Sequence, residues 1–213
     1  MLEYLGPISE GIAATVTITA LAFVLGSILG LPLLAASRSP WLPVRALARF
    51  LIDLLRAVPP IVWLFILFFG LAQSLVSLDA YPAAVIGFGC ISAAYMAEIY
   101  RAGLLAVRRQ QWEAGAALGL NRLQVLRTIV GPQAIRVVIP GAATWAIALL
   151  KETAVVSVIG VSDVTFLATS ESQRSGDGLL IFLLAGGIYI LMSLPLALVA
   201  RWTDARLHRA VAL

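Results

Sequence analysis

The stretch RRQQWEAGAALGLNRLQVLRTIVGPQAIRVVIP, from Arg108 to Pro140, places a polar, arginine-containing segment between long apolar blocks. The chain of 213 residues is 61% hydrophobic and 12% charged, with a mean hydropathy of +0.98. This composition is typical of membrane proteins and leaves no soluble domain to be sought. The polar segment is therefore predicted to lie outside the lipid, and its mixture of Ala, Gly and one acidic residue indicates contact with a partner.

The apolar blocks around this segment are long enough to cross a membrane. A spanning helix needs roughly 20 mainly apolar residues to cross about 30 Å of hydrocarbon. Five stretches meet this requirement: residues 12–36, 50–72, 81–106, 139–161 and 179–200. We therefore predict an all-α integral membrane protein in which residues 1–213 form a single transmembrane domain and residues 107–138 form a cytoplasmic loop.

Prolines and glycines punctuate the predicted spans. Pro59 and Pro60 interrupt the second span, which is expected to kink or partly unwind because neither ring nitrogen donates a hydrogen bond. Glycine pairs in the third and fifth spans predict close approach of neighbouring helices. These are Gly87 with Gly89, and Gly186 with Gly187. The loop at 162–178, with its Ser, Gly and Asp, is predicted to be an exposed connector.

Charged residues outside the spans are distributed unevenly between the two sides. Arginines follow the first span, fill the polar loop and recur in the C-terminal tail. They are Arg38, Arg45, Arg49, Arg108, Arg109, Arg122, Arg127, Arg136, Arg201, Arg206 and Arg209. The positive-inside bias places these segments in the cytoplasm, so the N-terminus is expected outside and the C-terminus inside. The net charge of +4 then follows from topology, and no nucleic-acid partner is expected.

The polar loop itself predicts two short helices joined by a tight turn. Residues 113–118 can form a helix with Ala114, Ala117 and Leu118 on one face. Gly119 suits the position after that helix, where φ is positive. Asn121 can cap a second helix through a capping box with Gln124. Such a pair could rest on lipid headgroups, but small residues favour docking into a groove on another protein, since a membrane-lying helix would present Trp, Phe or Leu.

Two pairs of opposite charges have helical spacing near the predicted cytoplasmic side. Glu98 and Arg101 lie three residues apart in the third span, and Asp53 and Arg56 repeat that spacing in the second. Residues at this spacing are neighbours on a helix surface. Both pairs are predicted to be structural, with Glu98 retained as a weaker candidate for the solute pathway.

Ionisable residues within the fourth span indicate a cavity. Lys151 and Glu152 lie well inside it, where a charge is expensive unless it faces a cavity or a partner. Adjacent residues point about 100° apart on a helix, so both cannot face one cavity squarely. We predict that Glu152 or Thr153 lines a translocation route and that Lys151 pairs elsewhere.

The polar loop and several spans resemble a known family. The run Glu113-Ala-Gly-Ala-Ala-Leu-Gly119, with Pro132-Gln133-Ala134 and Pro140, resembles the EAA loop of binding-protein-dependent ABC importer permeases. Further segments are similar to the polar amino acid branch of that family. They are GIAATVTIT (11–19), LLRAVPPIVWLFILFFGL (54–71), AAYMAEIYRAGL (93–104) and ALLKETAVVSVIGVSD (148–163).

This chain departs from the family pattern at a few positions. The family usually has Gly where this loop has Gln110, and Ala where it has Gly115. The branch often has Lys-Asp-Thr-Ser where this chain reads Lys151-Glu-Thr-Ala154. The residues at the loop stay in the same size class, so the docking interpretation is unchanged.

The resemblance implies a five-helix type I ABC importer permease core in the bacterial plasma (inner) membrane. It implies a non-catalytic subunit that binds no cofactor, with ATP and Mg held by a separate pair of ATPase subunits. The other implied partners are a second permease, identical or homologous, an extracytoplasmic solute-binding protein, membrane lipid, and a polar amino acid or another small polar solute. The coupling helix seated in the ATPase would comprise Glu113, Ala114, Gly115, Ala117, Leu118 and Gly119.

The residues themselves argue against an ATPase and leave two weaker alternatives open. No Gly-x-x-x-x-Gly-Lys phosphate loop occurs, because the only lysine is Lys151 and Leu150 precedes it. A membrane enzyme is poorly supported, since the sole histidine, His208, lies in the tail and no Asp lies in mid-span; a serine acting with Lys151 remains the conceivable form. A self-assembled channel or scaffold is the second alternative, and it would need no ATPase.

Overall fold

The computed structural model describes residues 2–71 and 78–209, and all regular structure in these ranges is helical. The α-helices are α1 (Leu2–Glu10), α2 (Ile12–Ser37), α3 (Leu42–Ala57), α4 (Pro60–Phe65), α5 (Ala80–Ala106), α6 (Arg109–Ala117), α7 (Arg122–Val125), α8 (Gly131–Glu152), α9 (Val164–Ser175) and α10 (Gly178–Arg209). Segments with π-helical turns follow α4 (Ile66–Leu71) and join α7 to α8 (Leu126–Val130), and a 3₁₀ segment, Thr153–Ile159, extends α8. The predicted all-α class is confirmed.

Within residues 2–71 and 78–209, four helices are long and apolar enough to cross a membrane. They are Glu3–Ser37, Ala80–Ala106, Arg122–Ile159 and Gly178–Trp202. A fifth crossing arises only if Leu42–Ala57 and Pro60–Gly70, which are bent by 104° at their junction, count as one span. The predicted second span at 50–72 is therefore not one helix, and its last residue lies outside the described ranges.

The break in the second span is sharper than the predicted kink. Val58 and Pro59 both adopt extended backbone, with ψ of 133° and 140°. The residue before a proline is pushed out of the α region by its ring, and two consecutive prolines extend the effect over two residues. α3 therefore ends at Ala57, and α4 starts in a new direction with Pro60 at its first turn.

α5 lies at the centre of the molecule and packs most closely against α2. A Cβ on Gly26 would lie 2.3 Å from the Cβ of Ser92, and one on Gly30 would lie 2.9 Å from the Cβ of Met96. Small residues at such crossings let two helix backbones approach. On its other side, α5 is tied to α8 because Trp145 Nε1 donates a hydrogen bond of 2.8 Å to the Ser92 hydroxyl.

The predicted glycine contacts are confirmed in the third span and wrong in the fifth. A Cβ on Gly89 would lie 2.4 Å from Leu25 Cδ2, whereas one on Gly186 or Gly187 would have nothing described within 4 Å. The α10 glycines face outward because Ile181 and Ala185 form the buried face of that helix. Sequence alone does not tell which face of an almost uniformly apolar helix is buried.

The predicted exposed connector at 162–178 is wrong, because most of it is helix α9. Val164 and Ala168 are buried and pack with Ile8 of α1 and Ile181 of α10. Asp163 caps the N-terminus, where its side chain accepts a hydrogen bond of 2.8 Å from the Phe166 N–H. At the other end, Gly176 has a φ of +79°, which suits the residue after a helix.

Candidate coupling surface and solute route

The predicted helix, turn and second helix are present in the polar loop. α6 ends in a Schellman arrangement, with Leu120 N–H bonded to the Gly115 carbonyl (3.1 Å) and Gly119 N–H to the Ala116 carbonyl (3.0 Å). Gly119 has the predicted positive φ, +77°. Asn121 and Gln124 form the predicted capping box, with bonds of 3.0 and 2.8 Å. Hydrogen bonds between residues close in sequence therefore determine the shape of this surface.

α6 starts earlier than predicted, at Arg109, and this places an arginine beside Glu113. Arg109 Nε lies 2.9 Å from Glu113 Oε1, one helical turn away. Both side chains are exposed, Glu113 by 60%. Exposed pairs contribute little to stability, about 0–1 kcal/mol. The Glu113 carboxylate is therefore accessible, and the local fold depends little on its pairing.

The remaining α6 residues divide into an outward and an inward face. Ala114, Ala117 and Leu118 are exposed, Leu118 by 75%. Gly115 is buried, and a Cβ there would lie 2.6 Å from Val125 Cγ2. The structure thus places Gly115 against the chain's own α7, whereas the other predicted coupling residues, with Gly119, face away from the bundle.

A cavity of about 730 Å³ lies beside α6. Its lining includes Trp112 and Glu113 from α6, Arg122 and Leu123 from α7, and Arg38 from the end of α2. The segment after the first span and the polar loop therefore lie at the same end of the bundle, as the predicted cytoplasmic grouping requires. The cavity makes this end concave and predominantly basic.

The two favoured route residues have different environments. Thr153 is 0% exposed, and its hydroxyl bonds the Leu150 carbonyl (2.9 Å) and lies 3.2 Å from the Thr19 hydroxyl. Glu152 is half-buried, and its Oε2 is buried with no hydrogen-bond partner among the described groups. Leaving a buried polar atom unpaired costs about 1–3 kcal/mol, more for a charge. Glu152, rather than Thr153, therefore has bonding capacity left for a ligand.

One of the two predicted charge pairs, Glu98–Arg101, is confirmed. Arg101 Nη2 lies 2.6 Å from Glu98 Oε2, and this pair lines a cavity of about 320 Å³ together with Asp53 and Arg49. The Asp53–Arg56 pair is wrong. Arg56 instead lies over the Tyr95 ring, with its Cζ 5.1 Å from the ring centroid. The break after Ala57 ends α3 one residue beyond Arg56 and leaves that side chain close to α5.

Residues 22–209 match the family described as the binding-protein-dependent transport system inner membrane component. This chain belongs to that family. It is a multi-pass permease of the bacterial plasma membrane. The matched range includes α6 and most of the other helices, and therefore both the candidate coupling surface and the candidate route residues Glu152 and Thr153.

Individual relatives match the permease over nearly its whole length. The L-cystine transport system permease protein TcyB of Bacillus subtilis (strain 168) is 36% identical over 206 residues, covering 96% of this chain and 88% of its own. The arginine transport system permease protein ArtQ of the same organism is 34% identical, covering 94% and 92%. A crystal structure of an amino acid ABC transporter with histidines superposes with a TM-score of 0.91 at 31% identity, covering 97% and 96%. The inward-facing MetNI methionine ABC transporter (TM-score 0.78, 17% identity) shares the fold.

At the end of the permease opposite to α6, a buried carboxylate joins α9 to α10, and the residue after it bonds α2. Asp163 is 0% exposed and accepts a hydrogen bond of 3.2 Å from the Tyr189 hydroxyl of α10, in addition to its cap on α9. The following N–H, of Val164, donates to Thr15 of α2 at 3.3 Å. Burial raises the pKa of Asp163, while bonds from the Phe166 and Thr165 backbone lower it. The cluster differs from the predicted exposed loop at Asp163; an Asp directly before the run that begins at Val164 is a helix-capping signal.

Stability of the permease should depend on pH through Asp163. A raised pKa means that the folded state holds the proton more tightly than the unfolded state, so stability falls as pH rises from the ordinary Asp value through the raised one. Asp163→Asn should remove this contribution. In thermal unfolding monitored by fluorescence, the wild type should gain stability relative to Asp163→Asn as the pH is lowered from about 7 toward about 4. A difference between the two proteins that does not change with pH would contradict this assignment.

Proposed function

We propose that this permease is the membrane subunit of an ATP-driven importer of polar amino acids or related small zwitterionic solutes. The substrate class is supported by relatives named for L-cystine and arginine transport and by a structural neighbour described as an amino acid ABC transporter. A permease of the same family for another small polar solute is the alternative. ATP and Mg would be held by partner ATPase subunits.

The observation that carries the coupling mechanism is the attachment of α6 to the candidate route. Gly115 lets α6 pack closely on Val125, and Val125 belongs to one helical segment that runs from Arg122 to Ile159. Glu152 lies on that same segment. A displacement of α6 by a closing ATPase would therefore move the helix that carries the unpartnered carboxylate. Such rigid-body motion belongs to the hinge and shear type of transition.

The proposed assembly needs further chains. A core of five crossings has too few helices to enclose a route, so the permease should pair with itself or with a homologous permease across a symmetric interface. The exposed α6 surface would dock on an ATPase subunit, one for each permease. A solute-binding protein would deliver the solute at the opposite end, where Asp163 and α9 lie.

The test is reconstitution of the permease with its ATPase subunit and binding protein in proteoliposomes. A panel of radiolabelled L-amino acids, including L-cystine, L-arginine and L-glutamate, would be supplied with the binding protein outside and ATP inside. The proposal expects ATP-dependent uptake of at least one of them and stimulation of ATP hydrolysis by the same one. Uptake restricted to solutes that are not amino acids would support the alternative substrate class.

Glu152 should be required for this uptake. Glu152→Gln keeps the size and the hydrogen-bonding atoms but removes the charge that would attract the solute ammonium group. Hydrogen bonds to charged groups contribute about 1.5–3 kcal/mol, so uptake and solute-stimulated ATP hydrolysis should fall by about tenfold or more. Glu10→Gln, which removes the charge of an exposed acid outside the candidate route, is the charge-matched control and should keep uptake well above that of Glu152→Gln. Normal transport by Glu152→Gln would remove the acid from the route.

A further inference from the structure

Arg56 occupies an unusual place in the permease. It lies near the end of α3, just before the break at Val58 and Pro59, and its side chain is exposed. Its guanidinium lies over the Tyr95 ring, at 5.1 Å from the centroid. Among the described side chains, no carboxylate lies within ion-pair distance of Arg56. This arginine therefore contacts an aromatic ring, and its charge acts on Glu98 only from beyond ion-pair distance.

Of the two nearby carboxylates, Glu98 is already engaged. Glu98 receives bonds from Arg101 at both oxygens, at 3.0 Å from Nε to Oε1 and 2.6 Å from Nη2 to Oε2. Asp53 lines the adjacent cavity together with Arg49 and this pair. The cluster of Arg49, Asp53, Arg56, Glu98 and Arg101 thus contains one more cation than anions. Arg56 supplies the surplus positive charge.

Arg56 lies beside the interior of α5 rather than beside either of its ends. Its ring partner, Tyr95, is about 15 residues from the start of α5 and about 11 from the end, or roughly 22 and 16 Å at 1.5 Å per residue. Arginines within membrane spans are costly against lipid and almost always face the bundle interior or a water-filled cavity. We therefore expect the exposed side of Arg56 to face a polar space.

The aromatic support leaves the donors of Arg56 free. Tyr95 stacks on Trp145, with centroids 3.8 Å apart and planes 11° apart, and Trp145 is fixed by its bond to the buried Ser92. A guanidinium that contacts a ring through its face keeps its N–H groups, which lie in its plane, available. These groups match a carboxylate in a two-bond fork. No hydrogen bond from Arg56 to another described side chain is present, so these groups remain available for an anion with two oxygens.

The same stack is aligned with the unpartnered acid of the route. Trp145 and Glu152 are seven residues apart on α8, so they lie on one face of that helix, about 10 Å apart along it. An amino acid carries an ammonium and a carboxylate. Arg56 of α3, on the far side of the Tyr95–Trp145 stack, and Glu152 of α8 would therefore suit its two charged groups in turn.

We propose that Arg56 binds the carboxylate of the amino acid as the solute crosses the permease. This inference rests on the proposed function and adds to it a residue that selects solutes with a free carboxylate. The wild type should therefore bind a solute with a free carboxylate more tightly than one whose carboxylate is neutralised. Replacing Arg56 should abolish this difference, and replacing another arginine of α3 should not.

The test measures binding to the purified permease–ATPase complex without the binding protein. The probe is a radiolabelled L-amino acid that the uptake panel shows to be transported, displaced by the same unlabelled amino acid or by its carboxamide. In the wild type the acid should compete at least about tenfold better than the carboxamide, because the bond to a charged group is lost in the latter. In Arg56→Gln the two competitors should become equal. Arg56→Lys, which keeps the charge, should retain part of the preference.

Arg45→Gln, at an arginine of the same helix about 16 Å nearer its start, is the matched control and should keep the wild-type preference. A wild-type preference in Arg56→Gln would overturn the inference, even if its affinity for both competitors is lowered equally, since that result indicates packing alone. Equal competition in the wild type would also overturn it and leave the proposed function intact. If the wild-type complex binds and transports no amino acid, the proposed function itself fails before any variant is made.

Discussion

Replacement of Gly26 by valine is expected to abolish accumulation of folded permease. At this position a Cβ would lie 2.3 Å from the Cβ of Ser92, 2.4 Å from its hydroxyl and 2.7 Å from its backbone carbonyl carbon. Because part of the obstacle is backbone, no rotamer change relieves it, and α2 must move away from α5. Overpacking of a core commonly costs 1–3 kcal/mol and more when backbone shifts, which is a large share of the stability of a small domain.

The displacement would also break the polar link between helices. Ser92 accepts the hydrogen bond of Trp145, so a shift of α5 leaves the buried indole N–H of α8 without its partner. Fluorescence-detected size-exclusion chromatography of a tagged protein in detergent measures the outcome. Gly186→Val is the control, since nothing described lies within 4 Å of a Cβ at that position. A monodisperse Gly26→Val peak of wild-type height would contradict the packing described for α2 and α5.

Charge reversal at Glu113 is expected to uncouple the permease from ATP hydrolysis while leaving it folded. Glu113→Lys adds a cation next to Arg109 and beside the cavity lined by Arg38 and Arg122. Loss of an exposed ion pair costs the fold about 1 kcal/mol or less. If Glu113 meets the ATPase, association of the two subunits and solute uptake should both fall more than tenfold, because truncating one partner of an interfacial charge pair costs 2–5 kcal/mol.

A variant in which the two charges are exchanged distinguishes the ion pair within α6 from contact between Glu113 and the ATPase. Arg109→Glu combined with Glu113→Lys restores an intrachain ion pair with the charges exchanged. If binding of the ATPase requires a negative charge at position 113, this variant should neither co-purify with the ATPase nor transport the solute. Recovery in the swapped protein would show that only the pair within α6 matters. Gly119→Val is expected to give the same loss by another route, because a β-branched residue strains the turn at a φ of +77° and would change the direction of α6.

Features set by neighbouring residues could be predicted from the sequence. The Asn121–Gln124 capping box and the positive φ at Gly119 depend on side chains and backbone within a few residues, and both are present. The position of the break at Pro59 follows from local chemistry too. Its angle of 104° does not, because the direction of α4 is set by its packing on α5 and on the 3₁₀ segment after Glu152.

Features set by long-range packing were mispredicted. α9 has few apolar residues, so its composition indicates a connector, yet burial of Val164 and Ala168 between α1 and α10 and the Asp163 cap stabilise a helix. Arg56 lies three residues after Asp53, a spacing at which helix side chains are neighbours. It instead contacts Tyr95, which comes about 40 residues later in the chain. Which face of α6 is buried likewise depends on where α7 lies, and this explains why Gly115 points inward.

Uptake with and without the ATPase subunit tests the central claim most directly. Proteoliposomes containing the permease would be loaded with ATP and supplied outside with the binding protein and the transported amino acid. The proposed function predicts accumulation against a gradient only when the ATPase is co-reconstituted, and none when the permease is present alone. Accumulation at an equal rate by the permease alone would contradict the account.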